Sequence, residues 1–285
     1  MSEPDSGQPL SVIILTFNSD RTIGQTLESL RGIADDVRIV DSYSTDRTLA
    51  IAEQFGARVV QHPFRSYGDQ RNWAMDHLPR LGSWLLHLDS DEFLSLELAQ
   101  EIKDVLTNPS QAVGYFIPRL VRFLGRDIRH GGMYPTWHMR LFRNGQGRCE
   151  DRKYDQHFVV DGSTGRMRFP MIDDHRSSLS EWTRRHNLWS DAEVEEILHP
   201  YQGEDRVIPR VFGNPIERKR SLRRIYGLAL PLVRPWLLFL YRYVIRAGFL
   251  DGREGFIFFS LQTLWFRFLV DAKLFEKQKP VEGRT

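Results

Sequence analysis

Short apolar runs alternate with amphipathic stretches along the first part of the chain. Uninterrupted apolar runs are typical of parallel strands buried on both faces, whereas apolar residues three or four apart indicate helices. Strand-like runs occur at residues 11–16, 37–40, 58–60 and 84–88, with helical spacing between them. This alternation predicts an α/β fold in which helices flank a mostly parallel sheet.

Polar residues collect directly after these predicted strands, and ligands of such sheets bind beyond the carboxyl ends of the strands. Thr16 and Asn18 follow the first strand, and Asp41 follows the second. These three residues could hold a nucleoside. The Asp41 carboxylate suits the N–H group of a base, although capping a turn is an equally ordinary role. On the helix before the fourth strand, Arg71 is placed to bind a phosphate, although many helix arginines are simply solvated.

The fourth strand ends in three acids among four residues, Asp89, Asp91 and Glu92. Negative charge at the end of a buried strand is costly unless a cation compensates for it. Mg²⁺ or Mn²⁺ binds carboxylate oxygens and keeps positions open for substrate phosphates. We therefore predict that Asp89 and Asp91 hold the metal and that Asp89 also borders the nucleotide. The alternative is an acidic turn that caps the next helix. Pairing of these acids with arginines would remove the basis for the metal site and, with it, for an enzymatic function.

Composition and missing motifs exclude several classes of protein. The formal net charge of +2 gives no overall signal for binding a polyanion. The single cysteine, Cys149, excludes an intrachain disulfide framework and a Cys-rich zinc site. The sequence has neither Gly-x-Gly-x-x-Gly nor a Walker lysine motif, so a dinucleotide oxidoreductase or a P-loop kinase is not expected. Residues 1–9 are acidic and polar, so no signal peptide is expected.

Four segments, in this order and spacing, resemble family 2 glycosyltransferases. They are residues 11–18, residues 40–48 (Val-Asp-Ser-Tyr-Ser-Thr-Asp-Arg-Thr), the triplet Gln70, Arg71 and Asn72, and residues 88–92 (Leu-Asp-Ser-Asp-Glu). The resemblance implies a GT-A-like fold, a nucleotide-diphosphate sugar donor, a divalent metal and inversion at the sugar. Ser42 stands where the family often has a second aspartate that contacts the base in some members. Ser42 is therefore included among the expected nucleotide-binding residues, and a UDP-sugar is the favoured donor.

Direct displacement at the sugar needs a base close to the acceptor hydroxyl. Glu150, Asp151 and Asp155 have suitable side chains, and the resemblance implies that the pair Glu150 and Asp151 supplies the base, with Asp151 preferred. Salt bridges to neighbouring basic residues are the structural alternative. His157 and His175 could ligate the metal or contact phosphate, although a lone histidine more often serves the fold.

The polar and aromatic segment at residues 126–143 provides candidates for binding the acceptor. Apolar faces of sugars stack on aromatic rings, and polar side chains orient their hydroxyl groups. Trp137, His138 and Arg140 are predicted to contact the acceptor, with an ordinary packing role as the alternative.

The composition changes after residue 200. Residues 206–246 contain ten Lys and Arg but one acid, Glu217, and apolar, aromatic segments continue to residue 270. These segments are too short and too often interrupted by Arg to span a bilayer. Their amphipathic character suits helices that lie in an anionic membrane interface, and so much Leu and Phe argues against nucleic acid as the partner. A helical hairpin packed on the catalytic domain is the alternative.

We therefore predict a catalytic domain at residues 1–200 and a basic, amphipathic, helical region at residues 201–285. The latter, with its turn Gly248-Phe249-Leu250-Asp251-Gly252, also resembles bacterial family 2 enzymes that build lipopolysaccharide core or exopolysaccharide. The resemblance implies an inverting, metal-dependent transfer to a hydroxyl of a lipopolysaccharide-core or lipid-linked exopolysaccharide acceptor. The expected location is cytoplasmic, peripheral on the inner face of the bacterial plasma membrane. Two alternatives are open, a polyprenyl-phosphate sugar transferase and a non-catalytic scaffold that binds a sugar nucleotide.

Overall fold

The computed structural model describes residues 8–79, 81–108, 111–204 and 206–278. Most of the N-terminal stretch on which the signal-peptide expectation rests lies outside these residues. So does the end of the predicted C-terminal region, after residue 278.

The first half of the fold is a block of four parallel strands. They lie in the order β3-β2-β1-β4 and are connected through helices. The strands are β1 Leu10–Thr16, β2 Asp36–Asp41, β3 Arg58–Gln61 and β4 Trp84–Asp89, and the helices are α1 Ile23–Glu28, α2 Thr48–Gln54 and α3 Tyr67–His77. Every strand predicted for this region is present. β1 and β4 have the continuous apolar run that burial on both faces requires, whereas β3 is the edge strand and its residues are exposed or half-buried.

The sheet continues from β4 through strands that run mainly antiparallel, in the order β4-β8-β6-β12-β5, while β7 and β11 also pair with β6 and β9 pairs with β10. These elements are β5 Glu92–Leu94, α4 Leu96–Thr107, β6 Gly114–Phe123, β7 Arg126–Asp127, β8 Thr136–Arg143, β9 Gly147–Cys149, β10 Phe158–Val160, β11 Thr164–Arg166 and β12 Met171–Asp174. The sheet is therefore mixed, and the predicted α/β fold class, with its helical C-terminal extension, is confirmed.

The register of the strands brings their carboxyl ends to one edge. Thr16 lies opposite Asp41 on β2, and its neighbour Leu15 lies opposite Asp89 on β4. The polar ends of the first, second and fourth strands therefore meet where a ligand of such a sheet binds.

The remaining chain is mainly helical. The helices are α5 Leu179–Leu198, α6 Pro215–Leu228, α7 Arg234–Leu240, α8 Gly252–Phe259 and α9 Phe266–Gln278, with π-helical turns at Tyr241–Ile245 and Ser260–Trp265. α5 packs on α9 by burying Val194 against Phe266 and Val270. The domain boundary at residue 200 stays a prediction.

Among the described residues, one helical stretch, Gly248–Gln278, is long and apolar enough to cross a membrane by length and composition. The expectation that every apolar segment is too short was wrong on length, because a 3₁₀ turn at Gly248–Asp251, α8, the second π-helical turn and α9 join into one stretch of 31 residues. In this structure 39% of its most apolar window is buried in the protein, where Phe258 and Phe259 pack with Trp182 of α5.

Candidate functional site

Three consecutive side chains of α3 connect the strand ends to one another. Gln70 donates to the Ser42 hydroxyl after β2 at 3.0 Å, and Arg71 donates to the Asp89 carboxylate after β4 at 2.8 Å. Asn72 exchanges hydrogen bonds of 2.8 and 3.0 Å with the backbone of Cys149 on β9. All three residues are buried. The helix therefore positions the second strand end, the fourth strand end and the segment that leads to Asp151.

Asp41 organises the loop after β2. Its fully buried carboxylate accepts hydrogen bonds from Thr16 Oγ1 at 2.9 Å, the backbone N–H of Ser44 at 2.8 Å and Gln61 Nε2 at 3.2 Å. Asn18 has a left-handed backbone with φ of 48° and accepts from Thr45 N at 2.9 Å through Oδ1. The turn-forming role that the sequence left open for Asp41 is therefore present.

The rings next to this loop are exposed. Phe17 after β1 is 61% exposed and Tyr43 after β2 is 53% exposed. Large exposed aromatic rings beside a strand-end crevice offer flat apolar surfaces for a base.

The structure places Asp89 between two arginines. Its oxygens lie 2.8 Å from Arg71 Nη2 and 2.8 Å from Arg140 Nη2. Burial opposes ionisation, but the charges of Arg140 and Arg71 hold the pKa of Asp89 well below its usual range. Arg140 also lies 2.7 Å from Glu92, whose pKa burial raises to about 7. Asp89 is therefore paired with arginines, the arrangement that the sequence analysis named as unfavourable for a metal ligand. Arg140, which was predicted to contact the acceptor, is buried among these acids and does not line an open surface.

Asp91 has different neighbours. Its Oδ2 lies 2.5 Å from His175 Nδ1, and His175 Nε2 lies 3.2 Å from Asp173 Oδ1. Arg119 pairs with the other oxygen of Asp173 at 3.2 Å. The turn between β4 and β5 therefore meets the end of β12 in a second cluster beside Asp89.

This second cluster fits a divalent metal. Ligand atoms of Asp91, Asp173 and His175 lie within 4.8 Å of one another, and Asp173 Oδ1 is buried without a hydrogen bond. Burial disfavours a charged imidazole, but Asp173 and Asp91 outweigh it and raise the pKa of His175 to about 9. A metal ion would replace that proton, because a ligating imidazole must be neutral.

The two candidates for the base, Glu150 and Asp151, differ in their exposure to solvent. Glu150 is fully buried and accepts from Arg220 at 2.7 Å, His157 N at 3.1 Å and Val207 N at 2.9 Å. These donors occupy both oxygens of its carboxylate, and this arrangement is unfavourable for its role as the second candidate base. Asp151 is exposed and accepts one hydrogen bond of 3.0 Å, from Ser66 Oγ at the N-terminus of α3.

Gly68 explains why α3 lies so close to this segment. A Cβ atom at Gly68 would lie 2.3 Å from the carbonyl oxygen of Glu150 and 2.9 Å from Cα of Asp151. Both distances are below any contact that a real Cβ makes, so the approach of α3 to Asp151 requires glycine here.

The other predicted histidines and the tryptophan have contacts outside the Asp91 cluster. The buried imidazole of His157 lies 3.3 Å from Asp155 and its ring centre is 6.0 Å from that of His138. Trp137 is half-buried with the Arg166 guanidinium 5.4 Å above its ring. The structure does not bring these groups into contact with Asp91.

The sequence interpretation missed Asp173 and underrated His175. Both follow the short apolar run of β12, and acids that end an apolar run were the signal used for Asp89 and Asp91. Applied here, it would have singled out Asp173 and Asp174, with His175 next to them.

Comparison with known proteins places this geometry in context. A sequence model of glycosyl transferase family 2 matches residues 11–175, from β1 to His175. The lipopolysaccharide core biosynthesis glycosyltransferase LpsC of Rhizobium meliloti (strain 1021) is 29% identical over 221 residues, covering 73% of this chain and 78% of LpsC. An uncharacterized glycosyltransferase of Rickettsia felis is 38% identical over 104 residues. That alignment covers 36% of this chain and 36% of the Rickettsia protein, so the match spans about a third of that relative.

Solved structures show weaker likeness. Glucosyl-3-phosphoglycerate synthase of Mycobacterium tuberculosis, in complex with Mn²⁺, UDP and glucosyl-3-phosphoglycerate, has a TM-score of 0.44 at 16% identity. That match covers 69% of this chain and 82% of the other. The same enzyme with Mg²⁺ and UDP has a TM-score of 0.34 at 24% identity, covering 41% of this chain and 44% of the other.

Proposed function

The chain belongs to glycosyl transferase family 2, and from this premise we propose that it transfers a sugar from a nucleotide-diphosphate donor, with inversion. The donor proposed is a UDP-sugar, and the acceptor is a hydroxyl of a lipopolysaccharide-core or lipid-linked exopolysaccharide. One observation carries the proposal. Ligand atoms of Asp91, Asp173 and His175 lie within 4.8 Å of one another, close enough to share one metal ion, beside the strand ends that a nucleotide-binding sheet uses.

Two groups of residues would bind the donor. The loops shaped by Thr16, Asn18, Asp41 and Ser42 would hold the nucleoside, with Phe17 next to its base. Asp91, Asp173 and His175 would hold Mn²⁺ or Mg²⁺, because carboxylates suit both ions and imidazole is tolerated better by transition metals. When bound, that ion would neutralise charge on the departing diphosphate. Asp89 would act indirectly, by fixing Arg71 and Arg140 at the edge of the site.

Asp151 is the proposed base. Inversion requires the acceptor oxygen to attack the face of the sugar opposite the leaving diphosphate, and its proton must pass to a nearby group. Asp151 has an exposed carboxylate with one hydrogen-bond donor, Ser66, whereas the buried Glu150 is given no catalytic role.

Binding of nucleotide and metal tests the donor site. Thermal-shift measurements with UDP, GDP, ADP and CDP, with and without Mn²⁺, should show stabilisation by one diphosphate that requires the ion. The Asp91→Asn variant should fold but lose this metal-dependent stabilisation, whereas Asp174→Asn, next to the ligand set, should retain it. Metal-dependent binding and turnover that survive in Asp91→Asn would contradict the assignment.

Turnover of a variant tests the base. Asp151→Asn should lower kcat by roughly 100-fold or more, the usual contribution of a general base, while diphosphate binding stays unchanged. The exposed Asp161, replaced by asparagine, is the matched control. Unchanged kcat in Asp151→Asn would indicate an acceptor that needs little base catalysis, such as a polyprenyl phosphate.

We propose that the protein is peripheral on the inner face of the bacterial plasma membrane. Large apolar side chains of the C-terminal helices are exposed, among them Trp236 at 53%, Ile245 at 73% and Phe249 at 50%. A groove lined by Tyr243, Phe249, Arg253, Phe256 and Ile257 opens on the same region. Exposed apolar surface next to basic residues is the combination that binds an anionic lipid interface, and it would bring a lipid-linked acceptor to the enzyme.

A further inference from the structure

Arg185 lies beside the Asp91 cluster although nothing in the sequence interpretation selected it. It belongs to α5, which begins at Leu179, four residues after His175. Its Nη2 lies 3.4 Å from the hydroxyl of Ser177, two residues after His175, and its guanidinium lies 5.3 Å from the ring centre of Trp189. Ser177 is two residues from His175 in the chain, so its contact with Arg185 connects the guanidinium to the segment that carries a proposed metal ligand.

Arg185 also lacks the partner that its neighbours have. Around this site, Arg71, Arg140 and Arg119 each pair with a carboxylate at 2.7 to 3.2 Å. Within the part of the chain that the structure describes, Arg185 forms no ion pair, and its Nε is buried without a hydrogen-bond partner. A partly buried guanidinium without a counter-charge is costly, which indicates that an anion binds here.

Arg185 is also close enough to the cluster to interact electrostatically with Asp91. It interacts in the same way with Tyr67 of α3, on which the charges of Asp89 and Asp91 also act. Arg185 and Tyr67 are therefore both within electrostatic range of the acids at the end of β4.

We propose that Arg185 binds the diphosphate of the donor and stabilises it as it departs. The inference rests on the function proposed above. In the transfer, the bond between the anomeric carbon and the diphosphate oxygen breaks, and its electron pair stays on that oxygen. The acceptor oxygen forms the new bond to the anomeric carbon and gives its proton to the base. The nucleoside diphosphate therefore gains negative charge, and a planar guanidinium can donate two parallel N–H bonds to its phosphate oxygens.

Calorimetric titration of the full chain with UDP and with inorganic pyrophosphate, each in the presence of Mn²⁺, tests the proposal. Pyrophosphate makes the test independent of the base. Arg185→Gln should weaken binding of both probes by roughly tenfold or more, and Arg185→Lys should restore part of that loss. Arg184→Gln, one residue away on the exposed side of α5, should bind like the unaltered protein. In turnover, Arg185→Gln should lower kcat as well as raise KM, because the contact strengthens as charge develops on the leaving group.

The possible results are distinguishable. Loss of affinity in Arg185→Gln but not in Arg184→Gln, with equal melting temperatures, supports a role in diphosphate binding. Equal affinity in Arg185→Gln and the unaltered protein overturns it and leaves the proposed function standing. If the unaltered protein binds neither UDP nor pyrophosphate with Mn²⁺, the proposed function fails and this inference fails with it. Should Arg185→Gln not fold, the comparison between Arg185→Lys and Arg184→Lys decides the question.

Discussion

At the scale of single residues, the two aspartates after β4 have separate roles. Asp89 compensates two buried arginines, whereas Asp91 faces a histidine and a second aspartate. Removing one partner of a buried ion pair leaves the other charge uncompensated and commonly costs about 3 kcal/mol or more. The two positions should therefore respond differently to the same substitution.

We predict that Asp89→Asn lowers the free energy of unfolding by about 3 kcal/mol, because Arg71 and Arg140 lose their shared counter-charge. Urea denaturation measures this value. Asp76→Asn is the matched control, since Asp76 pairs with Arg148 at the surface and such pairs contribute less than about 1 kcal/mol. Equal losses in the two variants would show that the buried pairing of Asp89 does not stabilise the fold.

The same residues show how far a sequence can be interpreted. The acids after β4 were recognisable because they end a buried apolar run. Their partners were not, because Arg140 is 51 residues from Asp89 and His175 is 84 residues from Asp91 along the chain. Only the antiparallel half of the sheet brings these distant residues to the end of β4. The identity of a charged residue is thus visible in the sequence, but the charge that opposes it is a property of the fold.

At the scale of elements, the parallel strands were predictable and their antiparallel continuation was not. Burial on both faces gives β1, β2 and β4 an unmistakable apolar pattern, whereas β9 to β12 have three or four residues each and carry little pattern. The sequence pattern also did not predict which elements α5 packs against. Trp182, His186 and Val194 face the C-terminal helices, so α5 connects the end of the sheet to the region beyond residue 200.

This packing predicts a pH dependence of stability. His186 is buried against Trp182, with ring centres 3.4 Å apart, and Nε2 lies 3.0 Å from Gln262. Burial lowers the pKa of His186 to about 4, below the value of about 6.5 for an unfolded chain. As the pH falls below 6.5 the unfolded state takes up the proton first. The stability present above pH 6.5 is therefore lost as the pH falls towards 4.

Denaturation at pH 7.5 and pH 5 measures this contribution. The unaltered protein should lose about 2 kcal/mol more than His186→Phe between the two pH values. His77, which is exposed on α3, provides the control, and His77→Phe should keep the pH dependence of the unaltered protein. If His186→Phe also keeps it, the neutral state of His186 does not contribute to the stability of this helix packing.

At the scale of the whole molecule, buried charges join the basic C-terminal region to the candidate site. The Glu150 carboxylate forms an ion pair with Arg220 Nη2 of α6 at 2.7 Å. The neighbouring Asp155 carboxylate pairs with Lys219 Nζ at 2.7 Å and with Arg223 Nη1 at 2.9 Å. Both acids lie in the loop that carries Asp151. Two of the three acids considered as bases, Glu150 and Asp155, therefore hold α6 against the catalytic half. The third, Asp151, is exposed. A membrane contact made by the C-terminal helices would consequently fix the orientation of the site.

Sedimentation with lipid vesicles tests that contact. The full chain should pellet with vesicles rich in anionic lipid at low salt, and less with neutral vesicles or at high salt, since basic residues contribute part of the affinity.

Replacing Phe249 and Leu250, each about half exposed, with serine should lower the partition coefficient roughly tenfold, because the apolar area available for burial shrinks. Leu96→Ser, which alters an 88% exposed leucine on α4, should bind as the unaltered chain does. If the full chain stays in the supernatant at low salt, these helices serve only to pack on the catalytic half, and the lipid-linked acceptor must reach Asp151 by another route.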